Sequence, residues 1–173
     1  MNKRQLAETT KDPKILDELS RDKNYLVRLG VASNPNTKPE TLDVLSQDEN
    51  VYVRYCVVSN PNTSPELLDV LSHDENPSVR CCVARNPNTK PEILDILSRD
   101  EKSVVRCRVA QNRNTKPEIL DVLSQDENSN VRCLVAENPN TKSETLEENL
   151  IMQIENDIIN SLTEREKQIY EIK

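Results

Sequence analysis

A unit of 26 residues repeats through most of the chain and constrains its fold more than any other feature. Residues 71–96, LSHDENPSVRCCVARNPNTKPEILDI, are preceded and followed by close copies. The copies open at leucines spaced 26 apart, namely Leu19, Leu45, Leu71, Leu97 and Leu123. Self-similarity at a fixed period of this size indicates a solenoid, in which each repeat contacts only its neighbours. The sequence therefore predicts one continuous, elongated domain.

This domain is predicted to have three parts. Residues 1–18 form a degenerate N-terminal capping repeat, whose last part is in register with the full copies and whose first part is polar. Residues 19–148 hold five tandem repeats, and residues 149–173 are predicted to form C-terminal capping helices. The first of these helices carries apolar residues at helical spacing: Leu150, Ile151, Ile154, Ile158 and Leu162. A capping-box spacing begins at Thr163 and predicts the start of a second short helix there.

The first helix of each repeat is predicted to start within the NPNTKPE stretch. Thr37 precedes Glu40 by three residues, as the equivalent residues do in the later copies, and this is the spacing of a capping box. Pro39 falls in the first turn, where its missing N–H has no intrahelical partner. Ile93 and Leu97, four apart, mark the buried face of such a helix.

The second helix is predicted to start after the DEN stretch. Its caps are asparagines in four copies, Asn24, Asn50, Asn76 and Asn128. Pro77 stands at the first helical position of the third copy, and Val79 and Val83 mark the buried face. The helix ends at NPN, because a residue before proline is pushed out of helical geometry. Both helices are too short to be stable alone, so stacking must stabilise them.

The stretch NPNTKPEILDILSRDE followed by VVRCRVAQN resembles the leucine-rich repeat variant, a bacterial repeat with an Asn-Pro-Asn-Thr turn. The resemblance covers roughly residues 9–148, with departures at Lys102, Arg113 and Ser143. It implies an all-α fold, a right-handed α/α superhelix of five two-helix repeats with N- and C-terminal caps, related in shape to HEAT and armadillo arrays. It leaves open whether one helix of each pair is 3₁₀, and it implies a scaffold rather than an activity.

The composition limits which partners and which cellular compartment suit this protein. The net charge of −7, with 30 acidic against 23 basic residues, disfavours binding to nucleic acid or to an anionic membrane. No apolar run approaches the roughly 20 residues that span a bilayer, and the N-terminus lacks the apolar segment of a secretion signal. Five cysteines at repeat-related positions suit reduced thiols. We therefore expect a cytoplasmic protein with no membrane contact.

The residue types that carry catalysis or bind metals are not grouped in this sequence. A serine recurs in every copy, but His73 is the only histidine and stands at a solvent-facing position. The acidic pair Asp74 and Glu75 suits a helix start, and no glycine supplies the turn of a calcium loop. Cys81 and Cys107 occupy equivalent positions on stacked helices about 8–10 Å apart, beyond disulfide reach. We predict no catalytic residue, metal site or cofactor, and no enzyme.

Two charged series recur in every copy. An arginine flanks the buried face of the second helix, at Arg28, Arg54, Arg80, Arg106 and Arg132. The aspartate series that begins at Asp22 precedes the same helix, and the series that begins at Asp43 lies in the first helix. We predict an Asp–Arg network between neighbouring repeats, with the Asp43 series as the partners. A ligand role for these charges is the alternative.

Positions that vary between copies point to function, because packing requires the same residues in each copy. Opposite the buried centre of the second helix, the varying residues are apolar and aromatic at the N-terminal end of the array and polar at the other end. The predicted partner-binding residues are Tyr25, Leu26, Leu29, Tyr52, Tyr55, Arg85, Arg108 and Gln111. Exposed tyrosines make good anchors for a partner. The alternative is that these side chains pack on a neighbouring helix or on the N-terminal cap.

The sequence thus predicts a scaffold that binds a protein or peptide through the variable face of the second helix row. The first alternative is a HEAT-like nucleic-acid-binding array with Arg85, Arg106, Arg108 and Arg113 on phosphates. The second is a structural module that associates with itself through an exposed end of the stack. We expect a monomer with an unidentified partner.

Overall fold

The computed structural model describes residues 2–145, 147, 151, 154, 155 and 157–161. Within residues 3–137 of this part lie eleven helices: α1 (Lys3–Thr9), α2 (Pro13–Leu19), α3 (Tyr25–Ser33), α4 (Pro39–Leu45), α5 (Val51–Ser59), α6 (Pro65–Leu71), α7 (Pro77–Arg85), α8 (Pro91–Leu97), α9 (Ser103–Gln111), α10 (Pro117–Leu123) and α11 (Ser129–Glu137). All eleven are α-helices rather than 3₁₀-helices, and the described residues include no β-strand. The predicted all-α solenoid of paired helices is confirmed.

The helices form two layers. Helices α1, α3, α5, α7, α9 and α11 pack side by side in chain order, and we call them the stacked row. Helices α2, α4, α6, α8 and α10 each contact the members of the stacked row that precede and follow them in the chain, and we call them the covering helices. The covering helices therefore shield one side of the stacked row, and no other helix among α1 to α11 covers its opposite side.

Leucines and valines at repeat-related positions form the core between the two layers. Leu68 and Leu71 of α6 and Val53 and Val57 of α5 are almost fully buried, and the equivalent residues of the other repeats join the same apolar cluster. Burial of each such side chain contributes about 1.5–3 kcal/mol relative to exposure. The predicted buried faces are therefore confirmed for both helices of the repeat.

Most of the predicted helix starts are confirmed, but the predicted capping box is wrong. The asparagines before α3, α5, α7 and α11 accept a hydrogen bond from a first-turn amide, and a proline opens every covering helix. Thr37, however, is not the N-cap of α4, which is Lys38. The Thr37 hydroxyl instead donates to the main-chain oxygen of Val31 at 2.6 Å. This threonine therefore ties the turn to the preceding stacked helix.

Buried arginines join neighbouring repeats. Arg54 donates from Nε and Nη2 to the two carboxylate oxygens of Asp74, at 2.6 and 2.9 Å, and from Nη1 to the main-chain oxygen of Asp48 at 2.8 Å. The equivalent two-pronged pairs are Arg28 with Asp48, Arg80 with Asp100, and Arg106 with Asp126. The predicted network is confirmed, but its acceptors are the aspartates before the next stacked helix. The assignment to the Asp43 series was wrong.

The pKa values of the buried aspartates determine how the stability of the fold depends on pH. Burial raises the pKa of the Asp100 carboxyl, but hydrogen bonds from Arg80 and from the Lys102 amide outweigh burial and hold that pKa below its ordinary value. The pKa of the Asp126 carboxyl is lowered in the same way. A carboxyl whose pKa is lower in the folded state than in the unfolded state stabilises the fold at pH values above its unfolded-state pKa of about 3.9. This contribution is lost as the pH falls through the folded-state pKa. We expect the free energy of unfolding to decline below about pH 4.

Urea unfolding followed by circular dichroism between pH 7 and pH 3 measures this decline. The Asp100→Asn variant lacks one of the titrating carboxyls, so its stability should fall less steeply in acid than that of the parent. A decline centred near pH 6 in the parent, or curves of identical shape for the two proteins, would contradict the assignment.

Buried asparagines form a second ladder. The Nδ2 group of Asn60 donates to the main-chain oxygens of Ala32 and Asn34, at 2.7 and 2.9 Å, and its Oδ1 accepts from the Asn62 amide at 2.9 Å. The first asparagine of every other turn likewise donates to a carbonyl of the preceding stacked helix, at Asn34, Asn86, Asn112 and Asn138. Sequence reasoning treated this residue only as a helix end and missed its role between repeats.

The N-terminal end of the stacked row depends on the single glycine. Helix α1 packs against α3, and a Cβ on Gly30 would lie 3.1 Å from the Ala7 Cβ and 3.3 Å from the Glu8 Cγ. The absence of a side chain therefore allows α1 to approach α3 closely. The polar first part of the predicted cap is thus a regular helix with Asn2 as its N-cap. The Lys3 Nζ of this helix forms an ion pair with the Asp22 carboxylate at 2.7 Å.

The predicted C-terminal capping helices fall largely outside the described residues. Residues 151, 154, 155 and 157–161 are helical, in agreement with the predicted spacing. Ile151, Ile154 and Ile158 are exposed, so the capping role of this segment stays a prediction. Leu150, Leu162 and the segment from Thr163 onward lie outside the described residues. Within the described part of the chain, no helix is both long enough and apolar enough to cross a bilayer.

Candidate interaction surface

The open side of the stacked row carries the residues that vary between copies. In α5, Val53 and Val57 face the covering helices, so Tyr52 and Tyr55 project from the opposite side of the helix. Their exposed fractions are 64% and 41%. We define the open face by the equivalent residues of four stacked helices: Tyr52, Tyr55, Ser59, Ser78, Cys81, Arg85, Val104, Cys107, Gln111, Asn130, Cys133 and Glu137. These residues are exposed or half-buried, as the helical periodicity predicted.

A shallow groove crosses the middle of the open face. Its larger part is a depression of about 270 Å³ between α5, α7 and α9, lined chiefly by Tyr55, Cys81, Cys82, Arg85, Val104 and Arg108. A second depression of about 170 Å³ shares Tyr55, Cys82 and Arg85 with the first and continues towards Pro87. The two depressions together form one elongated feature, which we call the central groove.

Two guanidinium groups at the central groove have no acidic partner among the described residues. Arg85 has no ion pair or hydrogen bond to another described residue, and Arg108 donates from Nη1 to the Gln111 side chain at 2.7 Å. Seven arginines elsewhere pair with carboxylates, namely Arg4, Arg21, Arg28, Arg54, Arg80, Arg99 and Arg106. Away from the groove, Arg113 and Arg132 also have no carboxylate partner among the described residues, and Arg132 donates to main-chain oxygens instead. The central groove therefore presents unneutralised positive charge on a chain whose net charge is negative.

The Tyr55 hydroxyl and the Cys81 thiol, which line the groove beside the two arginines, stay protonated near pH 7. The neighbouring Cys82 thiol and partial burial raise the pKa of the Tyr55 hydroxyl, against the opposing effect of Arg85. Burial raises the pKa of the Cys81 thiol, although Arg108 acts to lower it. A protonated thiol is a poor nucleophile and behaves as a small apolar group. The described residues contain no cluster of three potential metal-binding side chains, and His73 is exposed.

The structure brings together only part of the predicted binding set. Tyr55, Arg85 and Arg108 line one depression, and Gln111 joins them through its hydrogen bond to Arg108. Tyr52 is the more exposed tyrosine of the same helix but does not line the groove.

The three remaining residues of the predicted set lie on α3, at the N-terminal end of the row. Tyr25 is exposed, whereas Leu26 and Leu29 are half-buried. Leu29 packs against the core, and Leu26 lines a surface depression together with Lys3 of α1. Leu29 therefore follows the packing alternative, whereas the binding role of Leu26 stays a prediction.

One groove residue was missed by sequence reasoning. Cys82 belongs to a position at the edge of the open face, where the five copies have Gly30, Cys56, Cys82, Arg108 and Leu134. Its Sγ atom lies 3.4 Å from the Ser59 Oγ of the preceding stacked helix. The position varies as strongly as the predicted stripe does. The same criterion of variation between copies could have identified it.

The paired helices and their period define a helical-repeat protein, and comparison with known proteins identifies the particular fold. No protein-family model matches the chain, and a search of curated proteins gave no match. A solved structure described as a leucine-rich repeat variant with a novel repetitive protein structural motif matches with a TM-score of 0.70 and 27% sequence identity. The match covers 84% of this chain and 58% of that one. The chain thus has the fold of the leucine-rich repeat variant, as the sequence predicted.

Proposed function

We propose that this protein is a non-enzymatic repeat scaffold that binds another protein or a peptide through the open face of the stacked row. The observation that carries the proposal is the exposure of Tyr52 and Tyr55 beside the central groove. Tyrosine supplies a large contact area at little cost in conformational entropy, and it is enriched among the residues that dominate interfaces.

The distribution of variation along the array supports this proposal. The buried valines and arginines of the stacked helices recur in almost every copy because each repeat must pack on the next. The open face changes instead, from Tyr52 to Ser78, Val104 and Asn130 at one position. A surface that packing leaves free to vary can be matched to one partner.

One of the four arginines of the nucleic-acid alternative is unsuited to binding phosphate. Arg106 is buried in its pair with Asp126, where their closest nitrogen and oxygen lie 2.6 Å apart, and is not free to contact phosphate. Arg85, Arg108 and Arg113 are exposed, but they belong to a chain with a net charge of −7. A protein partner therefore fits better than a polyanion.

We further propose that the protein acts as a monomer in the cytoplasm. The five cysteines are free, and all of them are half-buried or exposed. Thiols in such positions persist in a reducing compartment, whereas oxidising compartments favour disulfides.

A pull-down from nuclease-treated lysate of the source organism tests the proposed function. We expect the parent protein to retain a partner that a Tyr52→Glu, Tyr55→Glu variant loses, because the new charges replace the aromatic anchors. Mass spectrometry identifies the retained proteins, and circular dichroism checks that the variant is folded.

The matched control for this pull-down is a Val44→Glu, Val70→Glu variant. Both valines are exposed, but they lie on the covering helices, away from the open face. This control should retain the partner. If all three proteins retain the same set, or if none retains any protein, the open face is not the binding surface.

A further inference from the structure

The central groove combines features that together define a class of ligand. Arg85 and Arg108 come from adjacent helices of the stacked row and line the same depression. Neither guanidinium pairs with a carboxylate among the described residues, although most arginines of the chain do. A guanidinium binds a carboxylate through two parallel hydrogen bonds. The position of these two side chains therefore favours an anionic group on the ligand.

The rest of the groove is apolar or weakly polar. Val104 is 57% exposed at one side of the larger depression, and the Tyr55 ring lies at the other side. Between them lie Cys81 and Cys82, and burial keeps the Cys81 thiol protonated. A ligand that places only an anion here would leave this apolar lining exposed to water. An apolar side chain next to the anionic group would cover it.

The shape of the groove favours a chain over a small anion. The two depressions share Tyr55, Cys82 and Arg85 and continue along α7 towards the turn at Pro87. A free phosphate or carboxylate would occupy only the neighbourhood of the arginines. A peptide segment, in contrast, can place successive side chains along the whole feature.

We propose that the central groove binds an acidic peptide segment of a partner protein. A glutamate or aspartate carboxylate of that segment binds Arg85 and Arg108, and an adjacent apolar side chain packs between Tyr55 and Val104. This inference rests on the proposed function and specifies the chemistry of the partner.

Fluorescence anisotropy of purified protein with two panels of labelled octapeptides tests the inference. In the first panel glutamate alternates with leucine, valine or phenylalanine, and in the second panel glutamine replaces every glutamate. We expect binding from the first panel alone. An Arg85→Gln, Arg108→Gln variant should bind at least about tenfold more weakly, because it loses the charge-assisted hydrogen bonds.

The matched control is an Arg21→Gln, Arg99→Gln variant, whose exposed arginines pair with Asp17 and Asp95 away from the groove. This control should bind as the parent does. The inference is overturned if no acidic peptide binds, if the two panels bind alike, or if the Arg85→Gln, Arg108→Gln variant binds as tightly as the parent.

The pull-down separates failure of this inference from failure of the proposed function. A lysate protein that the Tyr52→Glu, Tyr55→Glu variant loses but the Arg85→Gln, Arg108→Gln variant keeps would sustain the proposed function and overturn the acidic-peptide inference. If both variants retain the same proteins as the parent, the proposed function and the acidic-peptide inference are both overturned.

Discussion

Replacing Arg80 by methionine is expected to lower the free energy of unfolding by about 3–5 kcal/mol. Arg80 donates to both carboxylate oxygens of Asp100, at 2.6 and 3.0 Å, and to the main-chain oxygen of Asp74 at 2.8 Å. The Asp100 side chain is only 6% exposed. Methionine preserves most of the volume but leaves this carboxylate buried without its hydrogen-bonded cation. Urea unfolding followed by circular dichroism measures the loss.

The same substitution should also reduce the cooperativity of unfolding. Each repeat contacts only its neighbours, so the array unfolds as one unit only while the interfaces are strong. Arg80 joins the third repeat to the fourth, and weakening this interface should lower the urea m-value or split the transition. The control is Arg99→Met, because Arg99 pairs with Asp95 at 3.1 Å on an exposed helix surface. Such a pair contributes about 0.3–0.5 kcal/mol, so equal losses in the two variants would contradict the role of the buried network.

Replacing Asn60 by alanine is expected to lower the free energy of unfolding by about 2–4 kcal/mol, since a buried polar group left without its partner costs about 1–3 kcal/mol. Asn60 is 4% exposed. The change removes its two donated hydrogen bonds to Ala32 and Asn34 and the acceptor for the Asn62 amide. Denaturant unfolding of the purified variant measures the effect.

The matched control for Asn60 is Asn88→Ala. Asn88 is the second asparagine of an equivalent turn, and within the described residues its side chain makes no hydrogen bond, although its main-chain amide donates to Asn86. An exposed substitution of this kind changes stability by about 0.5 kcal/mol or less. If Asn60→Ala and Asn88→Ala have the same small effect, the asparagine ladder does not hold the repeats together.

Local features of the sequence determined much of the fold. The alternating helix pair follows from the period, from caps such as Asn24 and from prolines such as Pro39, whose local conformational preferences act within one turn of the chain. The buried faces follow from apolar spacing, as at Val53 and Val57, because helical geometry fixes which residues share a side. The exposure of Tyr52 followed from the same geometry.

The contacts between repeats were decided only by the tertiary structure. Sequence alone could not select Asp48 over Asp43 as the partner of Arg28, because both series have the same period and each offers a carboxylate in every copy. It placed Thr37 in a capping box from spacing alone, although the threonine hydroxyl binds the preceding stacked helix. It did not bring Cys82 into the central groove.

The physical reason is the same in each of these cases. A periodic sequence offers the same candidate partners in successive copies, and local propensity fixes only the conformation of each helix and the direction of its side chains. The side chains that meet across an interface depend on the displacement and rotation from one repeat to the next. Those quantities are set by the packing of the whole stacked row against its covering helices, and it is this packing that places Arg85 and Arg108 at one groove.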